Sequence, residues 1–221
     1  MIVIKNLSFS YGNKKILENI NFSFYNNNIY GLIGRNGIGK TTFLECLNGN
    51  NKIIEGELMI NNVDYTKKSF LNNPLLIINN QKIFYKNLTV KEHFNLFTIL
   101  NDLDINKTLE IFNLVDYSDY FPNELSLGTS QRFNIALRLV CRNNDILADE
   151  PFNGLDLIEI QNLQSIFHKL KNKQRSIIIS SHDILSLVSI CDVILHLKNG
   201  RLEIIDKKDT DEINKIQTIL Q

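Results

Sequence analysis

Gly34-Arg35-Asn36-Gly37-Ile38-Gly39-Lys40-Thr41 stands between an apolar run ending at Ile33 and a helix-like run that follows. The spacing is G-x-x-x-x-G-K-[ST], after a strand (Ile29 to Ile33) and at the start of a helix, which is the context this motif requires. Phosphate oxygens need several donors converging at short range. Backbone N–H groups supply them only where the chain wraps closely, with angles that glycine tolerates. The helix start behind the loop adds its own unpaired N–H groups and the positive end of its dipole. Lys40 brings a mobile cation to the β- and γ-phosphates, and the Thr41 hydroxyl is a ligand for Mg²⁺. Gly34, Asn36, Gly37, Gly39 and Thr42 belong to the same cradle by position. The cradle does not reveal the reaction, since kinases, GTPases, motors and pumps all use it.

A triphosphate site also needs a metal anchor and a group that directs the attacking water. "DILADEP" is a short apolar strand ending in Asp149 and Glu150. Asp149 is expected to hold Mg²⁺, and Glu150 to polarise a water toward the γ-phosphate. Asp145, at the start of the same run, is expected to face solvent. His182 follows "IIISS" at the end of a buried strand, where ligand-facing residues collect in open α/β sheets. It is placed to hydrogen-bond a γ-phosphate. His93, His168 and His196 lie inside helix or strand patterns and read as structural. There is no H-x-x-x-H and no Cys/His cluster, so a zinc site is not expected. Cys46, Cys141 and Cys191 read as buried thiols.

These groups need elements to hold them. The first third alternates strands and turns, with asparagine runs at the turns. From about Leu88 to Arg142 the pattern is helical, and Thr89 with Glu92 three residues on forms a capping-box signature. The last third alternates continuous apolar strands with amphipathic helices, which indicates a parallel sheet covered on both faces. A polar tail is expected to close the chain. Asparagine is abundant throughout and receives no functional weight. The reading is one α/β domain with a helical insertion.

With the cradle, "LADEPFNGLD" and "SSHD" in this order, the sequence resembles the ATP-binding subunit of ABC transporters over nearly its whole length. "LSLGTSQR" at residues 125–132 resembles the signature of that family, usually L-S-G-G-Q. The resemblance implies a P-loop NTPase fold: a RecA-like core, an N-terminal antiparallel β-subdomain, and a helical insertion (about 82–142) bearing the signature, all within a single domain spanning 1–221. It implies that Tyr11 stacks on adenine, that Gln81 contacts the Mg²⁺ and faces the membrane partner, that Asp156 lies at the cassette interface, and that His182 is the switch histidine. It further implies that Ser126 and Gly128 cap ATP in trans, on the cradle of a second cassette. Leu127 stands in place of the first glycine and Thr129 in place of glutamine, while Phe152 replaces the threonine common after D-E-P at a position near the interface. The S-L-G form followed by Q-R is similar to the branch that exports drugs and antimicrobial peptides, and the early end after the last strands points the same way.

The implied function is an ATP hydrolase that powers export through a separate transmembrane permease subunit, with ATP and Mg²⁺ as cofactors. The cassettes would pair as a homodimer or heterodimer at the cytoplasmic face of the cell membrane. A soluble ABC ATPase acting on DNA or ribosomes, and a non-hydrolysing nucleotide-dependent regulator, are the alternatives. A net charge of zero over 221 residues gives no indication of a nucleic-acid partner. No apolar run approaches the ~18 residues that span a bilayer, and the opening residues lack the pattern of a signal peptide. The transported substrate is not legible in these residues.

Overall fold

A ten-residue strand, β1 (Ile2–Tyr11), opens the chain and carries an irregularity that sets its register. Ile2 and Ile4 are buried, then Leu7 and Phe9, so the inward parity changes between Ile4 and Leu7. Asn6, in the left-handed region at φ 52°, absorbs the extra residue there, as a β-bulge requires. β1 pairs antiparallel with β2 (Lys14–Phe24) and with β4 (Glu55–Ile60), and β5 (Val63–Asp64) completes a four-stranded sheet in the order β2-β1-β4-β5. The computed structural model describes residues 1–53, 55–66, 74–79, 84–98, 104–140, 145–171 and 175–220.

The second sheet has six strands: β3 (Ile29–Ile33), β6 (Leu76–Ile78), β7 (Ile146–Asp149), β8 (Ile177–Ser181), β9 (Val193–Lys198) and β10 (Arg201–Ile205), in the order β10-β9-β3-β8-β7-β6. All neighbours are parallel except β9 and β10. Every residue of β3 and of β8 is buried, as continuous apolar strands in a doubly covered sheet must be. Tyr30, Leu32, Leu147, Ile178 and Leu195 pack toward the four-stranded sheet and α1 (Lys40–Asn48). Ile33, Ala148, Ile177, Ile179 and Ile194 pack on the other face against α5 (Leu157–Lys171) and α6 (Ile184–Val188). Each fully buried aliphatic side chain contributes about 1.5–3 kcal/mol. A one-residue slip of β3, β7 or β8 would sacrifice several at once, so the end of each strand is fixed.

The insertion carries α2 (Val90–Thr98), α3 (Ile105–Ile111) and α4 (Leu127–Val140), with short 3-10 turns at Val115–Tyr117 and Pro122–Glu124. The capping box is reciprocal: the Thr89 N–H donates to Glu92 Oε2 at 2.7 Å, and the Glu92 N–H to Thr89 Oγ1 at 3.3 Å. His93 is buried between two backbone groups, its Nε2 accepting from the Tyr85 N–H at 2.9 Å. Cys46 and Cys191 are free and buried, and burial pushes the Cys46 thiol up to about 12; Cys141 lies outside the described residues.

Two expectations fail here. The closing segment is a helix, α7 (Thr210–Leu220), with Ile213 and Ile216 buried three residues apart. One apolar contact per turn sufficed to fold a stretch that otherwise looks polar. Asp145 does not simply face solvent: its Oδ1 accepts the Ser176 N–H at 2.7 Å, and partial burial raises its carboxyl pKa. It closes the open end of β8, a use that depends on a residue far along the chain.

Candidate active site

Parallel pairing gathers the site. Ile33 lies opposite Ser181, and Asp149 opposite Ser180. Gly34, Glu150 and His182, each at the end of its strand, therefore leave the sheet at one edge, the carboxyl edge where open α/β sheets bind ligands.

The loop after β3 turns into α1 through Gly37 (φ 76°) and Gly39 (φ 116°). A Cβ on Gly39 would lie 2.7 Å from Ile16 Cγ2, so both the angle and the close approach of β2 demand glycine. Gly39 is the N-cap of α1 and makes no side-chain cap hydrogen bond to the first-turn amides. The Lys40 side chain is 6% exposed, and its Nζ donates to the Gly34 carbonyl at 2.7 Å. The same nitrogen lies 3.1 Å from Glu150 Oε1.

Thr41 Oγ1 donates to Asp149 Oδ2 at 2.7 Å. Ser180 Oγ donates to Asp149 Oδ1 at 2.6 Å and accepts the Glu150 N–H at 3.0 Å. Ser180 thus orients both acidic residues. Sequence reasoning missed it, although its place one residue inside the end of β8 and opposite Asp149 was the available signal. Thr41 and Asp149 present two hard oxygen donors side by side, which suits Mg²⁺. That ion is usually held by one or two protein oxygens with phosphate and water completing the octahedron. Among the described residues no group of three His, Cys, Asp or Glu forms a protein-only metal site.

Glu150 is in the left-handed region at φ 50°. Every other non-glycine residue with positive φ among those described is an asparagine, which tolerates this region. Holding a glutamate there costs about 1–3 kcal/mol, a kind of strain that concentrates at functional positions. His182 Nδ1 is 2.9 Å from Glu150 Oε2, and since a carboxylate only accepts, the ring nitrogen is the donor. Glu150 thus sits between a cation and an imidazole, beside the metal-type pair.

A cavity of about 350 Å³ runs over these groups, lined by Asn36, Gly37, Gly39, Lys40, Thr41, Thr42 and Glu150, by Lys14 and Ile16 of β2, and by Tyr11. The Tyr11 ring is half exposed, braced edge-on by Phe9 with centroids 4.8 Å apart, and its hydroxyl accepts from Asn51 Nδ2 at 3.1 Å. Ser126 and Gly128 do not line this cavity. They sit at the start of α4, where Ser126 Oγ accepts the Thr129 N–H at 3.2 Å and donates to Thr129 Oγ1 at 2.9 Å. Asp156 caps α5 through the Glu159 N–H at 2.9 Å. Leu127, Leu157 and Ile158 beside these two segments are 49%, 69% and 70% exposed. Gln81 lies outside the described residues. The Phe152 side chain is buried in the main core, edge-on to Phe167 at 6.2 Å.

Comparison with known proteins agrees with this geometry. A model of the ABC transporter family matches residues 17–153. The chain is 30% identical over 215 residues to the lantibiotic transport ATP-binding protein SrtF of Streptococcus pyogenes, covering 96% of this chain and 93% of that one. It is 32% identical over 209 residues to the bacitracin transport ATP-binding protein BcrA of Bacillus licheniformis, covering 91% and 68%. In fold it is similar to the dimeric bacterial ABC transporter cassette MJ0796, with a TM-score of 0.76, 25% identity, and 92% and 97% of the two chains covered. The CbiO1 cassette of Clostridium perfringens has the same fold, with a TM-score of 0.83, 23% identity, and coverage of 99% and 92%. A P-loop cradle set on a RecA-like sheet, an antiparallel β-subdomain and a helical insertion thus find their counterparts together, and the chain belongs to the ABC transporter family as an ATP-binding subunit.

Proposed function

We propose that two copies of this chain close around two Mg-ATP, hydrolyse them, and thereby drive export through a separate transmembrane subunit at the cytoplasmic face of a membrane. The observation that carries the reading is Glu150. It is held in a strained conformation next to Asp149, 3.1 Å from the Lys40 ammonium and 2.9 Å from His182.

Each group has a role that follows from its chemistry. Tyr11 presents a ring face for the adenine. The amides of residues 34–42 and the Lys40 ammonium meet the phosphate tail. Thr41 and Asp149 would hold Mg²⁺, with Gln81 as a further ligand by family resemblance; the ion would supply charge neutralisation for the phosphate tail. Glu150 accepts the proton of the water whose oxygen attacks the γ-phosphorus as the bond to the β-phosphate oxygen breaks. His182 holds Glu150 through its Nδ1–H and would turn that donor toward the γ-phosphate when nucleotide is bound. The opposite face of that phosphate is closed by Ser126 and Gly128 of the second copy, and Asp156 lies where the copies meet. The exposed Leu127, Leu157 and Ile158 provide the apolar area for that meeting.

No helix among the described residues is long and apolar enough to cross a membrane. The relatives named for lantibiotic and bacitracin transport support an antimicrobial-peptide or drug-like cargo. The test is the dependence of ATPase rate on protein concentration, with Glu150→Gln alongside. A rate per chain that rises with concentration, and a variant that pairs but does not turn over, support the scheme. A rate per chain independent of concentration, or full activity in the variant, rejects it.

A further inference from the structure

Gly128 is not among the residues with positive φ, so its backbone does not explain why a glycine stands there. A neighbour from α5 lies against it: a Cβ at residue 128 would overlap the carboxyl group of Glu159 as that side chain is placed. That carboxylate passes over the first turn of α4 to pair with Arg132 Nη1, 27 residues away in sequence. The Arg132 side chain is 5% exposed and its Nε has no hydrogen-bond partner, so Glu159 is the one charge that compensates it among the described residues. Arg132 Nη2 donates to Thr129 Oγ1 at 3.2 Å, and Thr129 Oγ1 also accepts the Ser126 hydroxyl at 2.9 Å. At the other end, the Glu159 N–H is bonded to Asp156 Oδ1 at 2.9 Å. A polar chain therefore runs from the Ser126 hydroxyl to the Glu159 carboxylate, and the backbone N–H of the same residue holds the Asp156 carboxylate.

A second contact runs beside it. Leu127 Cδ2 lies 3.2 Å from where a Cβ on Gly154 would sit, so this side chain rests against the loop that ends in Asp156. The two residues that depart from the usual signature, Leu127 and Thr129, are thus both links between the signature and that loop.

We propose that Glu159 is a positioning residue: acting through Arg132 and Thr129 it sets the Ser126 hydroxyl and locks the signature to residues 153–156, so that both segments meet the second cassette as one body. The proposal rests on the reading above that Ser126 acts in trans. A buried ion pair is suited to this task, because losing one partner leaves an uncompensated charge and every bond downstream shifts. Thr129 holds the serine proton within the chain, so the hydroxyl is already oriented when it exchanges that acceptor for a phosphate oxygen.

The experiment uses the full chain carrying Glu150→Gln, so that turnover does not interfere. Mg-ATP-dependent pairing is measured by sedimentation, and nucleotide affinity separately at concentrations where the chain is single. Glu159→Gln is expected to weaken pairing roughly tenfold or more, as loss of a charge-assisted bond does, and to leave single-chain nucleotide affinity unchanged. In a Ser126→Ala background the same substitution should cost far less, because the route ends at that hydroxyl. Thr129→Val, which removes the Oγ acceptor at the other end, should reproduce the defect, and Thr129→Ser should restore pairing. The proposal is overturned if the Glu159 and Ser126 effects multiply in full, or if Thr129→Ser is as impaired as Thr129→Val. A Ser126→Ala chain that pairs normally refutes the in-trans reading and the proposal with it. A Ser126→Ala defect to which Glu159→Gln adds in full refutes the network alone.

Discussion

The cradle and the signature both offer donors to phosphate, but they are built in opposite ways. Residues 34–42 rely on main-chain amides and glycine, and their metal-type pair, Glu150 and His182 all stand at the same sheet edge of the same chain. Residues 126–132 rely on side chains: Ser126, Thr129 and Arg132 form a relay anchored on Glu159, and none of them lines the cavity. The cradle has its ligand site but only one wall. The signature has a wall but no site. The difference is what the proposed function needs: a chain that binds nucleotide alone and reacts only when doubled.

Breaking the cradle side should give the largest effect. Glu150→Gln removes the proton acceptor and keeps the shape, so turnover should fall about 10²–10⁴-fold while ATP-dependent pairing persists, read by phosphate release and sedimentation on the same sample. Breaking the signature side comes next. Ser126→Ala deletes one donor aimed at the γ-phosphate and should lower turnover about 10²-fold, with single-chain nucleotide affinity intact. If Ser126→Ala instead weakens nucleotide binding by the single chain, the two regions are not divided as described.

Two smaller effects separate scaffold from site. Phe152 lies two residues past Glu150 but packs on Phe167. Phe152→Ala should therefore cost about 3–5 kcal/mol of stability, seen in denaturant unfolding, with activity per folded chain largely retained. His196 is buried on β9, and burial lowers its pKa despite the nearby carboxylates of Glu203 and Glu212. A base with a depressed folded pKa adds stability above its unfolded value, near 6.5, and loses it as pH falls through the folded value. The melting temperature should therefore drop between pH 8 and pH 5.5 more in the parent chain than in His196→Gln.

The same contrast explains what could be read from sequence. The cradle was legible because a main-chain device needs fixed residue types at fixed spacing, and Gly39, Lys40 and Thr41 supply them in a row. The sheet was legible from its apolar strands, and with it the common edge of Asp149, Glu150 and His182. The relay behind Ser126 was not, because Glu159 reaches Arg132 only through the packing of α5 on α4. Leu127 and Thr129 looked like mere departures until Gly154 and Arg132 stood beside them. Asp145 and α7 were misread for the same reason, since Ser176 and the core under Ile213 and Ile216 give them their roles. Asparagine carried more than expected: Asn6, Asn19, Asn27, Asn61, Asn62, Asn113 and Asn199 all take left-handed angles at bulges and turns. Against that background Glu150 is the one left-handed residue among those described that is neither asparagine nor glycine.

The most direct test mixes two inactive chains. Glu150→Gln lacks a working cradle but keeps its signature, and Ser126→Ala has the reverse. In a mixed pair one site is doubly impaired and the other is wholly intact. With equal amounts and random pairing, ATPase activity should recover to about a quarter of the parent value. A mixture no more active than the average of its two components would contradict the claim that each copy completes the other's site.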